Sequence, residues 1–472
     1  MCHWLRQCDF ADREANRRET LAEPNPVWGN LHRFFTLARS VGAWHNGGMA
    51  SKSSHSRRDL PEWPEQVLGR KYVRMLQKHL EALRAENPHG NQALFLDDVF
   101  VAYLLAFHNP TLRTLRTIED FSKTRQAQNH LTIRKICKST LSDFNQLCQP
   151  ERLEPILKTL RSELARKTAT QSTSDTPDDL QALLERTVAV DGTFLPALAD
   201  VCWAVMSSNQ HQQAVNYRAR IDARVHVTTW IPEAIVVPVP QQSEADCASE
   251  HLQPGQIYLY DRGYQSFSLI GAHFEDDPTA PARSHFVMRF RPEGGNSPEI
   301  PTWESHELTS ADAEAGVLSD RTGFFDSSNA RRAGLAACPL REVVIASEEN
   351  GQTTQLRLIT NLLDVPARVI GLLYQQRWQV ELFFRWIKTI ANFNHLISHT
   401  RQGMLLQMYT TIIGVMLMYL HTGYRPSKYL FALLSSGASL EDLLPILRER
   451  ERRCALDRES ARRRAAKKRA AK

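Results

Sequence analysis

Residues 371–390, GLLYQQRWQVELFFRWIKTI, contain no Pro, and no Gly after Gly371, so they are predicted to form one continuous helix. At about 100° per residue, with Tyr374 at zero, Arg377 falls near 300°, Glu381 near 340° and Lys388 near 320°. A phenol, a guanidinium, a carboxylate and an ammonium thus share a stripe about 60° wide. Its flanks are apolar: Val380, Phe383, Phe384 and Ile387 on one side, Trp378, Leu382 and Trp386 on the other. A helix apolar on most sides is buried, and a buried carboxylate is costly without a partner. The stripe therefore faces something charged, and metal ions and phosphates are the classes that fit. Arg377 with Glu381, and Glu381 with Arg385, are also i,i+4 pairs, which are commonly plain helix salt bridges. The aromatic sheath weighs against that reading.

Two further carboxylates close apolar runs. Thr187-Val-Ala-Val-Asp191-Gly-Thr193 and Ile257-Tyr-Leu-Tyr-Asp261-Arg-Gly263 each read as a strand ending at Asp and a turn-forming Gly. Either one alone is an ordinary turn signature. On neighbouring strands, with Glu381 delivered by a helix packed on the sheet, they would set three carboxylates side by side. Such groups repel and raise one another's pKa, a conflict that divalent cations relieve. Donors that are all oxygen suit Mg2+ or Mn2+ rather than zinc. Two such ions about 3.5–4 Å apart serve an in-line displacement at phosphorus.

Tyr374, two residues, Arg377, three residues, Glu381, six residues, Lys388 is the spacing known as YREK. It resembles the YREK group of bacterial insertion-sequence DDE transposases, the IS-four-like family. The resemblance covers roughly residues 93–425 and is strongest at 188–193, 257–264 and 356–388. It implies a DNA transposase that binds the terminal inverted repeats of its element and catalyses metal-dependent strand cleavage and strand transfer. Asp191, Asp261 and Glu381 would be the catalytic residues and the ligands of Mg2+ or Mn2+, with two ions. Tyr374, Arg377 and Lys388 would grip the transposon-end backbone, Arg377 by bidentate contact and Lys388 as a point charge. The implied partners are double-stranded DNA, as transposon ends and target, and a second copy of the chain in a synaptic homodimer. A hairpin route to double-strand cleavage and a place on nucleoid DNA in the bacterial cytoplasm are further implications. The alternatives are another RNase H-like nuclease of resolvase type, an inactive element-derived DNA-binding protein, and an RNA-cleaving enzyme, since this fold also serves RNA.

The elements that must hold these groups follow from periodicity. After the strand at 187–191, Arg220–Trp230 alternates toward β, Ile235–Val239 reads as a strand and Ala245–Leu252 as a short helix. The strand at 257–260 and another at 286–291 follow. That order of strands and helices is the order of an RNase H-like fold, a mixed sheet with helices on both sides. Residues 292–340 start Pro-Glu-Gly-Gly-Asn-Ser-Pro and stay polar, and Glu342–Ala346 and Gln355–Thr360 read as strands. A β-rich insertion is thus expected over 292–355, between the second and third carboxylates. The carboxylates are 70 and then 120 residues apart, which agrees in kind with the resembled family.

Upstream, residues 61–170 read as an all-helical domain that the resemblance makes DNA-binding. Helices are expected at 62–86, at 93–107, after an Asn109-Pro110 cap, at 140–148 behind Ser139, and from Pro150 to about Lys167. Arg113, Arg116, Lys123 and Arg125 are candidate phosphate contacts or a solvated face. Residues 168–179 form a linker, the catalytic domain is expected over 185–425, and 426–472 is a C-terminal segment. Residues 1–60 are a variable extension with a linker at 47–51, in which Met49 is a candidate translation start.

Bulk composition is that of a globular protein of two or three domains, 42% hydrophobic and 23% charged over 472 residues. The net charge of +6 is uneven: residues 448–472 hold 12 Lys/Arg against 4 Asp/Glu, leaving the other 447 residues at −2. The final part of that tail, residues 461–472, has no apolar face and is expected to be disordered, or helical only on an anion. The 8 Cys show neither a Cys-x-x-Cys pair nor zinc spacing and read as reduced thiols. No signal peptide is visible. The apolar run 404–420 is shorter than the ~20 residues of a membrane span and holds Gln407, so a core helix is expected and no membrane partner.

Overall fold

The computed structural model describes residues 70–85, 94–108, 114–125, 135–169, 178–196, 205–208, 215–239, 241–275, 281–291, 302–349, 352–389, 396–435 and 438–470. Met49, the linker at 47–51, Asn109-Pro110, Arg113, most of the 168–179 stretch and all of 292–301 lie outside them. The chain divides into two compact units: residues 59–346 with 354–447, and residues 1–58 with 347–353 and 448–472.

The larger unit is built on a mixed sheet of ten strands: β1 (Thr187–Pro196), β2 (Val205–Ser208), β3 (Val215–His226), β4 (Pro232–Val236), β5 (Ile257–Tyr260), β6 (His285–Phe290), β7 (Thr302–Ser305), β8 (Val317–Phe324), β9 (Leu340–Glu349) and β10 (Gln352–Thr360). Their order is β2-β3-β1-β5-β6-β10-β9-β8-β7, with β4 also paired to β3. β1 runs antiparallel to β3 and parallel to β5, which is parallel to β6. β10 joins β6 antiparallel, so the inserted strands extend the same sheet. β7 and β8 arise within the stretch that reads as polar; they lie toward one edge, where no continuous apolar run is needed.

Alternation along β1 separates two cores. Ala189 and Leu195 pack with Ile221, Ala223, Val225, Ile257 and Leu259 on one face. Val188 and Val190 pack with Tyr258, Tyr260, Phe286 and Met288 on the other. Asp191 has the parity of Ala189 and so belongs to the first face.

The helices, in chain order, are α1 (Arg70–Ala85), α2 (Leu96–His108), α3 (Leu115–Ser122), α4 (Lys138–Leu147), α5 (Glu154–Ala169), α6 (Asp178–Leu184), α7 (Glu244–Ser249), α8 (Phe267–Gly271), α9 (Ser310–Glu314), α10 (Ser328–Arg332), α11 (Ala367–Gln375), α12 (Trp378–Thr389), α13 (Arg401–Thr422), α14 (Lys428–Ser435) and α15 (Leu440–Ala470). Ser139 lies inside the first turn of α4, whose N-cap is Cys137 without a side-chain bond. α13 is long and apolar enough to cross a membrane, but its most apolar window is wholly buried. It shares one core with Leu76, Phe100, Tyr103, Leu141 and Leu160 of the preceding helices. α15 continues to Ala470, so the basic tail is helical rather than disordered. Ala, Arg, Lys and Glu are strong helix formers, and Glu449–Arg453 and Glu459–Arg463 add i,i+4 pairs.

Candidate active site

The last β1–β5 pairs are Val188 with Tyr258 and Ala189 with Leu259. Two residues further on come Asp191, within β1, and Asp261, just past the end of β5. Each carboxylate folds back onto the next amide: Gly192 N donates to Asp191 Oδ1 at 2.8 Å, and Arg262 N to Asp261 Oδ1 at 2.6 Å. Asp261 does follow the end of its strand, where it caps the turn Arg262–Tyr264. Asp191 does not. β1 runs on to Pro196 because β3 pairs with it that far, with Asp191 opposite Ala223. Gly192 is therefore a strand residue and makes no turn. Its role is close approach: a Cβ there would lie 2.5 Å from Glu244 Oε1 and 2.9 Å from Asp222 Oδ1.

Glu381 comes from α12, which packs across β1 and β3. The stretch 371–390 is not one helix. α11 stops at Gln375 and α12 starts at Trp378. Between them the bonds are i→i+3, Gln376 N to Leu373 O at 2.9 Å, Arg377 N to Tyr374 O at 3.0 Å and Gln379 N to Gln376 O at 2.9 Å. No Gly or Pro signals this break, so tertiary packing imposes it over helix propensity. Tight seating on both sides agrees with that. Gly371 of α11 lets Ile345 approach so closely that a Cβ would lie 2.5 Å from its Cδ1. Trp230, in the left-handed region at φ 62°, sets its ring edge-on to Phe383 at 5.9 Å and Trp386 at 5.8 Å. The break puts Glu381 in the first turn of α12.

Arg377 joins these carboxylates. Its Nη2 bonds Glu381 Oε1, and its Nη1 lies 3.7 Å from Asp191 Oδ2. Asp261 and the buried Tyr374 are its other electrostatic neighbours. Burial pushes the Tyr374 hydroxyl above its ordinary range, against the pull of Arg377. Lys388, two turns further along α12, donates from Nζ to Thr193 Oγ1 at 2.6 Å. Arg377 thus links Asp191 with Glu381 and has Tyr374 and Asp261 beside it, while Lys388 reaches the strand two residues past Asp191.

Burial raises the Asp191 carboxyl to about 7, although Arg377 and the Gly192 amide oppose it; Glu381 and Glu244 push it further. Glu244 is the residue that sequence reasoning missed, because the short helix was expected to start at Ala245. In fact Ser243 caps α7 and Glu244 opens it. Its carboxylate lies beneath Gly192, and burial and Asp222 raise its pKa.

Among the described residues, no three Asp, Glu, His or Cys side chains are gathered to hold one ion jointly. Asp191, Asp261 and Glu381 are nonetheless of the right chemical type for a hard divalent cation, and Arg377 supplies the positive charge that they require.

The Transposase DDE domain family matches residues 182–417, half of the chain and a span holding all six residues. The chain belongs to the DDE transposase family. Over 76 residues it is 38% identical to a probable transposase for insertion sequence element IS5377 of Geobacillus stearothermophilus, covering 16% of this chain and 20% of that protein. Over 198 residues it is 26% identical to putative transposase y4zB of Sinorhizobium fredii, covering 42% and 47%. The chain thus spans about a fifth and about half of the length of these relatives. A piggyBac transposase synaptic complex with hairpin DNA, solved by cryo-EM, aligns over 80% of each chain at 10% identity and a TM-score of 0.37. The DDE transposase domain starts within α6, just ahead of β1, and ends within α13.

Proposed function

We propose that this chain is a DNA transposase of the YREK group with an RNase H-like catalytic domain. It binds the terminal inverted repeats of an insertion sequence and carries out strand cleavage and strand transfer in the bacterial cytoplasm. What supports the reading is that β1, which carries Asp191, and β5, which leads into Asp261, are adjacent and parallel, with Glu381 on the helix packed over β1 and tied to Asp191 through Arg377. The run of β1, β3 and β4 antiparallel, then β5 and β6 parallel to β1, supports the RNase H-like core.

Asp191, Asp261 and Glu381 would hold Mg2+ or Mn2+, two ions in the expected arrangement. When bound, they supply Lewis acidity for in-line displacement at phosphorus. Each of Asp191 and Asp261 accepts from the amide that follows it, Asp191 within β1 and Asp261 at the turn that closes β5. Tyr374, Arg377 and Lys388 would meet the phosphates of the element end, the guanidinium through paired N–H groups. The helices α1–α5 would add end recognition, and two copies would synapse two ends.

The test uses full-length protein and a plasmid carrying the inverted repeats found beside the gene. Divalent cation should produce cleavage at the repeat ends. Asp191→Asn, Asp261→Asn and Glu381→Gln should each lower it by at least about 100-fold, the upper end of what loss of an outer-shell metal partner costs. End binding should persist in all three. A variant that cuts at near wild-type rate removes that residue from the site. Binding without any nicking favours an inactive element-derived DNA-binding protein, and cutting confined to branched junctions favours a resolvase.

A further inference from the structure

We propose that Arg377 couples DNA to the cation: it occupies Asp191 and Glu381 until a DNA phosphate takes its guanidinium, and those carboxylates then open to a divalent cation. The inference rests on the catalytic reading above and assigns regulation to that same site.

The geometry makes Arg377 a competitor for the ion. One guanidinium bonds Glu381 through Nη2 and approaches Asp191 Oδ2 to 3.7 Å through Nη1. Its side chain is 13% exposed, so water screens these contacts little. Asp261 is a further neighbour of the same charge. A divalent cation on the same oxygens would meet a fixed positive charge within contact distance, and the two repel. Guanidinium and cation are therefore close to mutually exclusive on these two carboxylates.

Two features let the guanidinium leave. Arg377 sits in the break between α11 and α12, outside the bounds of either helix, and keeps 13% of its side chain exposed toward an incoming group. A phosphate offers the same paired acceptor geometry as a carboxylate. DNA that draws Arg377 away thus exposes Asp191 and Glu381 together. By linkage the coupling is reciprocal: the cation also strengthens the hold on DNA. Coupling of this kind typically amounts to ~5–150-fold in affinity. A site that loads its ion only on DNA would not cut until an end is in place.

The test measures Mn2+ affinity of the full-length chain by electron paramagnetic resonance, with and without a duplex holding the inverted repeat. Wild type is expected to bind Mn2+ at least about fivefold tighter with the duplex. Without DNA, Arg377→Ala is expected to bind Mn2+ tighter than wild type by a similar factor, with a smaller further gain from the duplex. Arg377→Gln, closer in shape and hydrogen bonding, carries the same expectation should the Ala variant not fold. DNA-free affinity unchanged or weakened in a folded variant overturns the proposal, as does a wild-type affinity indifferent to the duplex. Asp261→Asn separates this from failure of the catalytic reading. Mn2+ binding lost in that variant but indifferent to Arg377 sinks the coupling alone, whereas binding indifferent to Asp261 sinks the site.

Discussion

Lys388 Nζ lies 2.6 Å from Thr193 Oγ1, so the helix that opens near Glu381 is fastened to the strand two residues past Asp191. The bond fixes the helix about its axis, because Trp230 seats the same helix from another side. The spacing of Asp191 and Glu381 depends on β1 and α12 staying packed, and these two contacts contribute to it.

Lys388→Ala is expected to weaken binding of element ends and to lower cleavage. Thr193→Ala, which removes only the acceptor, should leave end binding near wild type. Each loses a hydrogen bond of ~0.5–1.5 kcal/mol, so both should melt slightly earlier. Parallel melting and electrophoretic binding assays check this. Equal loss of end binding in both variants would make the Lys388 contact purely structural.

Trp230→Ala should cost about 3–5 kcal/mol, the range for a deleted core aromatic. The ring packs edge-on against Phe383 and Trp386, two and five residues beyond Glu381. Cleavage should fall more than end binding, because the displaced element carries a carboxylate. Denaturant unfolding and cleavage rates on the same variant decide it.

His273 predicts a pH limit independent of the carboxylates. Burial, helped by His285, lowers its pKa to about 3. Its ring meets Ser284 Oγ at 2.7 Å through Nδ1 and the Tyr260 hydroxyl at 3.3 Å through Nε2. A depressed folded-state pKa means that the unfolded chain takes up the proton first. Stability is therefore complete above about 6.5 and falls by up to about 1.4 kcal/mol per unit as pH drops below it. Between pH 6.5 and 5, before most carboxylates titrate, His273→Gln should show a flatter slope in denaturant unfolding. An identical slope would mean that His273 is not the source.

The C-terminal helix carries the chain's net positive charge in residues 448–472. Deletion from Arg448 should weaken binding to every duplex about equally. It should also flatten the salt dependence, by ~0.9 log unit for each phosphate that the tail no longer neutralises. Preference for element ends should survive. Titrations on end and scrambled duplexes at several salt concentrations read both, and selective loss of end recognition contradicts the assignment.

Local patterns carried much of this molecule. The apolar runs before Asp191 and Asp261, the helical spacing of Glu381 and Lys388, and the burial of residues 404–420 all follow from side-chain periodicity, which short windows of sequence hold in full. Other features depend on partners distant in the chain. β1 passes through Asp191 because β3 continues to pair with it, which no property of residues 191–196 announces. The helix breaks at Gln376–Arg377 without Gly or Pro, where α11 packs on β6 and β8 and α12 on β1 and β3. Glu244 reaches the underside of Gly192 only once β1 and α7 are packed. Arg377 turns to Asp191, 186 positions away, because unlike charges brought together in a partly dry space pair with whatever is nearest. Periodicity states which side of an element is buried; what lies opposite that side is a matter of the assembled sheet and its packed helices.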